Sequence, residues 1–141
     1  MANNIYDSIR AALETKLSQA LGAVPIAYEN VSFEPTTGTL FVKPTFIPTT
    51  TQPATRGLTP QLLYEGVFNV MVYATEGNGP SQADNSCNTI TNAFAATTDI
   101  SIVVGADTFI VRIRYAERQQ GRIDTPWYTV PVNIGWFIYA S

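Results

Sequence analysis

The chain has 141 residues, one domain's worth, and residues 1–141 are read as a single unit able to bury about two thirds of its unfolded surface. Only 13% of residues are charged and the net charge is −3, which excludes a general attraction to nucleic acid or anionic membrane, so any basic function must be local. A lone cysteine, Cys87, excludes an internal disulfide, and the lack of histidine excludes catalytic triads and His-ligated metals. No run approaches the ~18 apolar residues of a membrane span, and MANNIYDSIR lacks the basic-then-apolar order of a signal peptide. The expected compartment is the cytoplasm.

A helix is predicted from Ile5 to Leu21. Ile5, Ile9, Ala12, Leu13, Leu17, Ala20 and Leu21 recur along one helical stripe, while Asp7, Arg10, Glu14 and Gln19 lie elsewhere. Asn4 is placed to cap its start, Asp7 suits the positive end of the dipole, and Gly22 closes it. A short extended piece over 26–30 precedes a strand at 39–47, TLFVKPTFI, where Pro44 cannot donate to a ladder and points to an edge or a bulge. Residues 48–60, PTTTQPATRGLTP, hold three prolines and five threonines with neither helical nor strand periodicity. They are expected to form a long hairpin arm that orders against a partner, with a merely flexible hairpin end as the alternative.

Residues 61–75, QLLYEGVFNVMVYAT, are the longest mid-chain stretch of strand chemistry free of proline. Leu62, Tyr64, Phe68, Val70 and Val72 fall on one face, and Glu65, Asn69, Met71 and Tyr73 on the other. That is the pattern of a central, half-buried antiparallel strand. After EGNGPS a second helix starts with Ser81 as N-cap and Asp84 in the capping-box position, and Ala83, Cys87, Ile90 and Phe94 form its packed stripe. The last third reads as strand: 100–104, a turn at 105–107, 108–118, a polar loop QQGRIDT, and 127–139. In 108–118 Phe109, Val111, Ile113 and Tyr115 point one way and Arg112, Arg114 and Arg118 the other. In 127–139 Tyr128, Val130, Val132, Ile134, Trp136 and Ile138 form the apolar face, and Pro131 again points to an edge or a bulge. The fold class is α+β: an antiparallel or mixed sheet with two helices packed on one face and a long hairpin arm at about 48–60.

The acids Glu29, Glu34, Glu65, Glu76, Glu117 and Asp124 are scattered and form no cluster suited to a hard metal or a glycosidase pair. GNGPS precedes a helix but lacks the phosphate-loop lysine, and Cys87 has no base to activate it. No catalytic residue, cofactor or metal ligand is assigned. What remains is basic: Arg112, Arg114, Arg118 and Arg122 are half of the eight basic residues. Such a row is either a solvated strand face or a patch that pairs with acids on a neighbouring subunit or meets nucleic-acid backbone, and as a patch without aromatics interleaved on its face it fits a protein partner better. With Thr49, Thr50, Thr51, Gln52 and Arg56 of the arm and Gln120 of the polar loop, these arginines are the candidate contact residues.

Several stretches taken in order, IYDSIRAALETKL, IAYENVSFEPTTGTLFVKPTFIPTTTQPAT, YEGVFNVMVYATEGNGPSQAD and WYTVPVNIGWF, carry a likeness over nearly the whole chain. They resemble small proteins of tailed bacteriophages and prophages grouped as tail-terminator-like or tail-completion proteins. The marks are the opening helix, the Tyr28-Glu29-Asn30 step, the arm with Pro53-Ala54-Thr55, the strand from Tyr64, and Trp127-Tyr128 with Val130-Pro131-Val132. The resemblance implies a non-enzymatic subunit that forms a ring, usually of six, at the head-proximal end of the tail tube in the virion, assembled in the host cytoplasm. It would stop tube growth and offer a surface to the head-tail connector, so that the implied partners are further copies, the tail tube protein and the connector, with DNA passing through the ring lumen and no membrane. A head-tail joining protein of the neck is the alternative reading, and a small cytoplasmic enzyme a remote one.

Overall fold

The computed structural model describes residues 5–22, 24–29, 31–35, 39–53, 62–77, 81–104 and 106–140. In chain order the elements are α1 (Ile5–Leu21), β1 (Phe41–Pro53), β2 (Leu62–Thr75), α2 (Ser81–Ala93), β3 (Asp99–Val104), β4 (Asp107–Arg118), β5 (Arg122–Asp124) and β6 (Trp127–Ala140). α1 has the expected bounds because Ile5, Ile9, Leu13 and Leu17 are buried along its length and Gly22 adopts the left-handed φ of 63° that stops it. Asn4, Asn30, Gly105, Arg56 and the rest of the arm over 54–60 lie outside the described residues.

All strands pair antiparallel in the order β1-β2-β6-β4-β3, and β5 also pairs with β6. β2 is internal as expected, yet β6 is the axis: it pairs with β2 from Trp127 to Ala140 on one side and with β5 and then β4 on the other. Its Val130, Val132, Ile134, Trp136 and Ile138 are fully buried. They join Tyr64, Phe68, Val70 and Val72 of β2 on the face covered by both helices, where burial of apolar surface supplies the main driving force for folding. Phe94, just past α2, sits 6.1 Å from the Phe68 ring. Tyr6 of α1 stands edge-on to Phe46 and Tyr64 at 6.3 and 5.6 Å. The sheet curls so that both edge strands, β1 and β3, touch α1.

Some local expectations change. β1 continues through Pro48 to Pro53, so the first half of the arm is strand. An edge strand needs ladder bonds on one side only. Val42 N–H donates to the Pro25 carbonyl at 3.1 Å and Phe46 N–H to Glu29 Oε1 at 2.7 Å, both away from β2, so Pro44 between them gives up no ladder bond. The described part of the extended piece, residues 26–29, forms no strand, only a single parallel bridge from Ile26 to Val42. Pro131 lies in the central strand, at neither an edge nor a bulge. Its carbonyl accepts from the Gln119 N–H at 2.8 Å, in the gap between the β4 and β5 ladders, where a missing N–H removes no strand bond. The polar loop QQGRIDT folds β5 back onto β6.

Candidate functional site

The β1–β2 ladder ends at Pro53 opposite Leu62, with Ala140 alongside, whereas Arg122 of β5 pairs with Thr129, which lies level with Tyr73 and Phe41. The span of β2 from Leu62 to Tyr73 therefore holds the arm and the β5 hairpin at opposite ends of the sheet, about 37 Å apart at the usual antiparallel rise.

At the arm end, a bulge falls between Pro48 and Thr50, and the Thr49 hydroxyl donates to the Glu65 carbonyl at 3.1 Å. Thr50 pairs with Glu65 and Thr51 with Tyr64. The Thr51 and Tyr6 hydroxyls are hydrogen-bonded at 2.6 Å, which ties the arm to α1. Gln52, opposite Leu63, is exposed. The Thr49 and Thr51 hydroxyls thus hold the arm to its own subunit.

The arginine row is divided. A second bulge, between Ile113 and Tyr115, makes Arg114 an extra residue and reverses the phase of β4. Ahead of it Arg112 lies opposite Phe137 on the face turned away from the helices. Beyond it Arg118 lies opposite the buried Val132, on the helix side, and the Tyr115 ring crosses to cover Gly135. Arg112 Nε is 3.9 Å from Asp99 Oδ1. Arg114 Nη1 is 2.8 Å from Glu65 Oε2, with its guanidinium 4.4 Å from the Phe137 ring centre. Arg118 Nη1 donates to Asp84 Oδ1 in the first turn of α2, so Asp84 serves as an ion partner to β4. Burial pulls the Arg118 guanidinium down, but the hydrogen bond and charge of Asp84 more than offset it, and the group is held more firmly protonated. Arg122 has no ion pair among the described residues, and Gln120 is exposed in the segment joining β4 to β5.

Because the Arg118–Asp84 pair is exposed, Arg118→Gln is expected to destabilise the isolated subunit by less than about 1 kcal/mol. A urea melt against the parent chain measures it. Sequence reasoning missed the acids that neutralise the row, since Asp99, Glu65 and Asp84 come from three different elements. It also passed over Ile123, although a lone large apolar residue in QQGRIDT was a legible signal.

Cys87 is buried, and that burial foremost pushes its thiol up, beyond what the Arg118 charge pulls back. Among the described residues no three His, Cys, Asp or Glu side chains converge as a metal site. The geometry offers surfaces.

A family model for phage tail terminator proteins matches residues 8–136, from the first turn of α1 into β6. The chain belongs to the phage tail terminator family. Among solved structures, one without a functional description is 27% identical to this terminator-family chain, covers 96% of each chain and has a TM-score of 0.73. A chain from the virion of a native gene transfer agent particle shares the fold at a TM-score of 0.58 and 14% identity, over 96% of the terminator-family chain and 98% of that chain. No curated protein matches. The terminator-family chain is a structural, tail-related protein of the phage virion.

Proposed function

We propose that this subunit assembles with further copies, six in all, into a ring at the head-proximal end of the tail tube, where it stops tube polymerisation and offers the head-tail connector a surface. The observation that carries the reading is the opposition of two unlike ends on one sheet. The Thr- and Pro-rich extension of β1 and β2 stands at one end, and the charged β5 hairpin at the other. A subunit whose ends matched would continue the polymer it joins, so termination calls for ends that do not repeat each other. Membership in the terminator family and the fold shared with a virion component support the same reading.

Arg112, Arg114 and Arg118 already face acids within the subunit. Charges paired in this way lose much of their field beyond a Debye length, which favours protein contacts over a grip on DNA passing through the lumen. No cofactor or reacting group is called for.

A phage lacking the gene should make tubes of uncontrolled length that do not join heads, as seen by electron microscopy. Purified subunit added to polymerising tube protein should halt elongation. Tails of normal length that merely detach from filled heads would instead assign the protein to the neck.

A further inference from the structure

The β5 hairpin and a groove beside α1 have matching chemistry and are held apart by the strands between them. Arg122, Ile123 and Asp124 are all exposed, Ile123 at 66%. Alternation along the strand sets Ile123 on one side of the hairpin and Arg122 with Asp124 on the other, so its edge carries one apolar side chain and two opposite charges. α1 and the segment leading into β1 enclose an open groove of about 580 Å³, lined in part by Arg10, Ala11, Glu14, Tyr28, Glu29 and Val31. Ala11 and Val31 give it apolar surface, and Val31 is 62% exposed.

Around that surface stand charges of both signs. Arg10 comes no closer to Glu29 than 3.9 Å, and its Nε is buried without a hydrogen-bond partner among the described residues. The exposed part of the Arg10 side chain, at 41%, is what an acceptor in the groove would meet. Burial foremost pushes the Glu14 carboxyl up, with Arg10 pulling it partly back, so a second cation beside it would ease the cost of its charge. Arg122 is such a cation, with no acid of its own among the described residues.

The hairpin lies on the β4 side of β6 and the groove beyond β1, with β2 and β6 between them. One subunit cannot bring the two together. A contact between the hairpin of one copy and the groove of another joins unlike surfaces head to tail, the class of contact that closes into rings.

We propose that the β5 hairpin docks in the α1 groove of a second copy of this chain, with Ile123 against Ala11 and Val31, Arg122 facing Glu14 and Glu29, and Asp124 facing Arg10. The contact deepens the ring reading and rests on it. Sedimentation velocity on the full chain over a range of concentrations, alone and with tube protein, tests it with Arg122→Glu, Glu14→Arg, their combination, and Ile123→Ser. Circular dichroism selects the variants that keep the parent fold, as expected for positions at the surface.

Each single change should weaken assembly about tenfold or more, the effect expected of a close charge pair at an interface. The combined reversal should recover most of the loss, because the two charges meet again with signs exchanged. If the parent assembles and the single changes leave it unaltered, or the combination is no better than either, the hairpin contact is overturned and the ring stands. If the parent assembles neither alone nor on tube protein, ring and contact fall together.

Discussion

Trp136→Ala should destabilise the subunit by roughly 3–5 kcal/mol, a large part of the ~5–15 kcal/mol that holds a domain folded. Trp136 is fully buried, its ring stacks on Phe46 at 5.3 Å and 8°, and in the ladder it lies opposite Gly66. The indole fills the space above a residue with no side chain of its own, so truncation leaves a void that its cross-strand neighbour cannot close. Trp136→Phe is the informative control. The indole Nε1 has no hydrogen-bond partner among the described residues, so phenylalanine keeps the stack on Phe46 and forfeits only volume. Urea melts should rank Trp136→Ala well below Trp136→Phe and Arg118→Gln. A melt for Trp136→Ala that matched Arg118→Gln would mean that β6 turns its other face to the core.

Gly66→Ala is the second large effect, at about 1–3 kcal/mol or more from overpacking. A Cβ at this position would meet the Ile47 carbonyl oxygen, Trp136 Cζ2 at 2.7 Å and the Cα of Pro48 at 2.9 Å. Two of these three neighbours are backbone, and both belong to β1 just ahead of its bulge. Rotamer changes cannot relieve the clash, so β1 must shift and carry the arm with it. Hydrogen exchange should then show lost protection along Ile47–Thr51 as the global melt falls. Unchanged stability together with unchanged exchange would contradict the close approach of β1 to β2.

Periodicity reported the elements whose burial is one-sided and uninterrupted. α1 could be bounded to the residue because a 3.6-period stripe runs up to a glycine with positive φ, and β6 could be assigned because five alternate apolar residues all reach the core. The strand at 48–53 was hidden by its composition. Threonine and proline read as loop, but an edge strand takes its ladder from β2 and needs little from its own outward groups.

The single face assigned to the arginine row was lost for a different reason. Its alternation continues through IVRIRYAER as though one phase ran throughout, and an extra residue at a bulge leaves that pattern untouched in the sequence. Only the pairing with β6 shows that Arg114 is unmatched and that Arg118 has changed sides. The partners of these arginines were equally out of reach. Glu65 meets Arg114 through β6, and Asp84 meets Arg118 from a helix, contacts fixed by topology and absent from any local window.

Because β2 and β6 span the whole distance between arm and hairpin, Thr51 and Ile123 share no neighbour among the described residues. Effects of substitutions separated by more than ~10 Å without common partners add independently. The sheet therefore works as an insulator between its two ends. On the proposed reading, the structure met at one end can be exchanged while the other end keeps its fit, provided that the buried row from Val130 to Ile138 keeps its alternation. Recombinants that graft one end onto a relative's sheet should on that account inherit one attachment at a time.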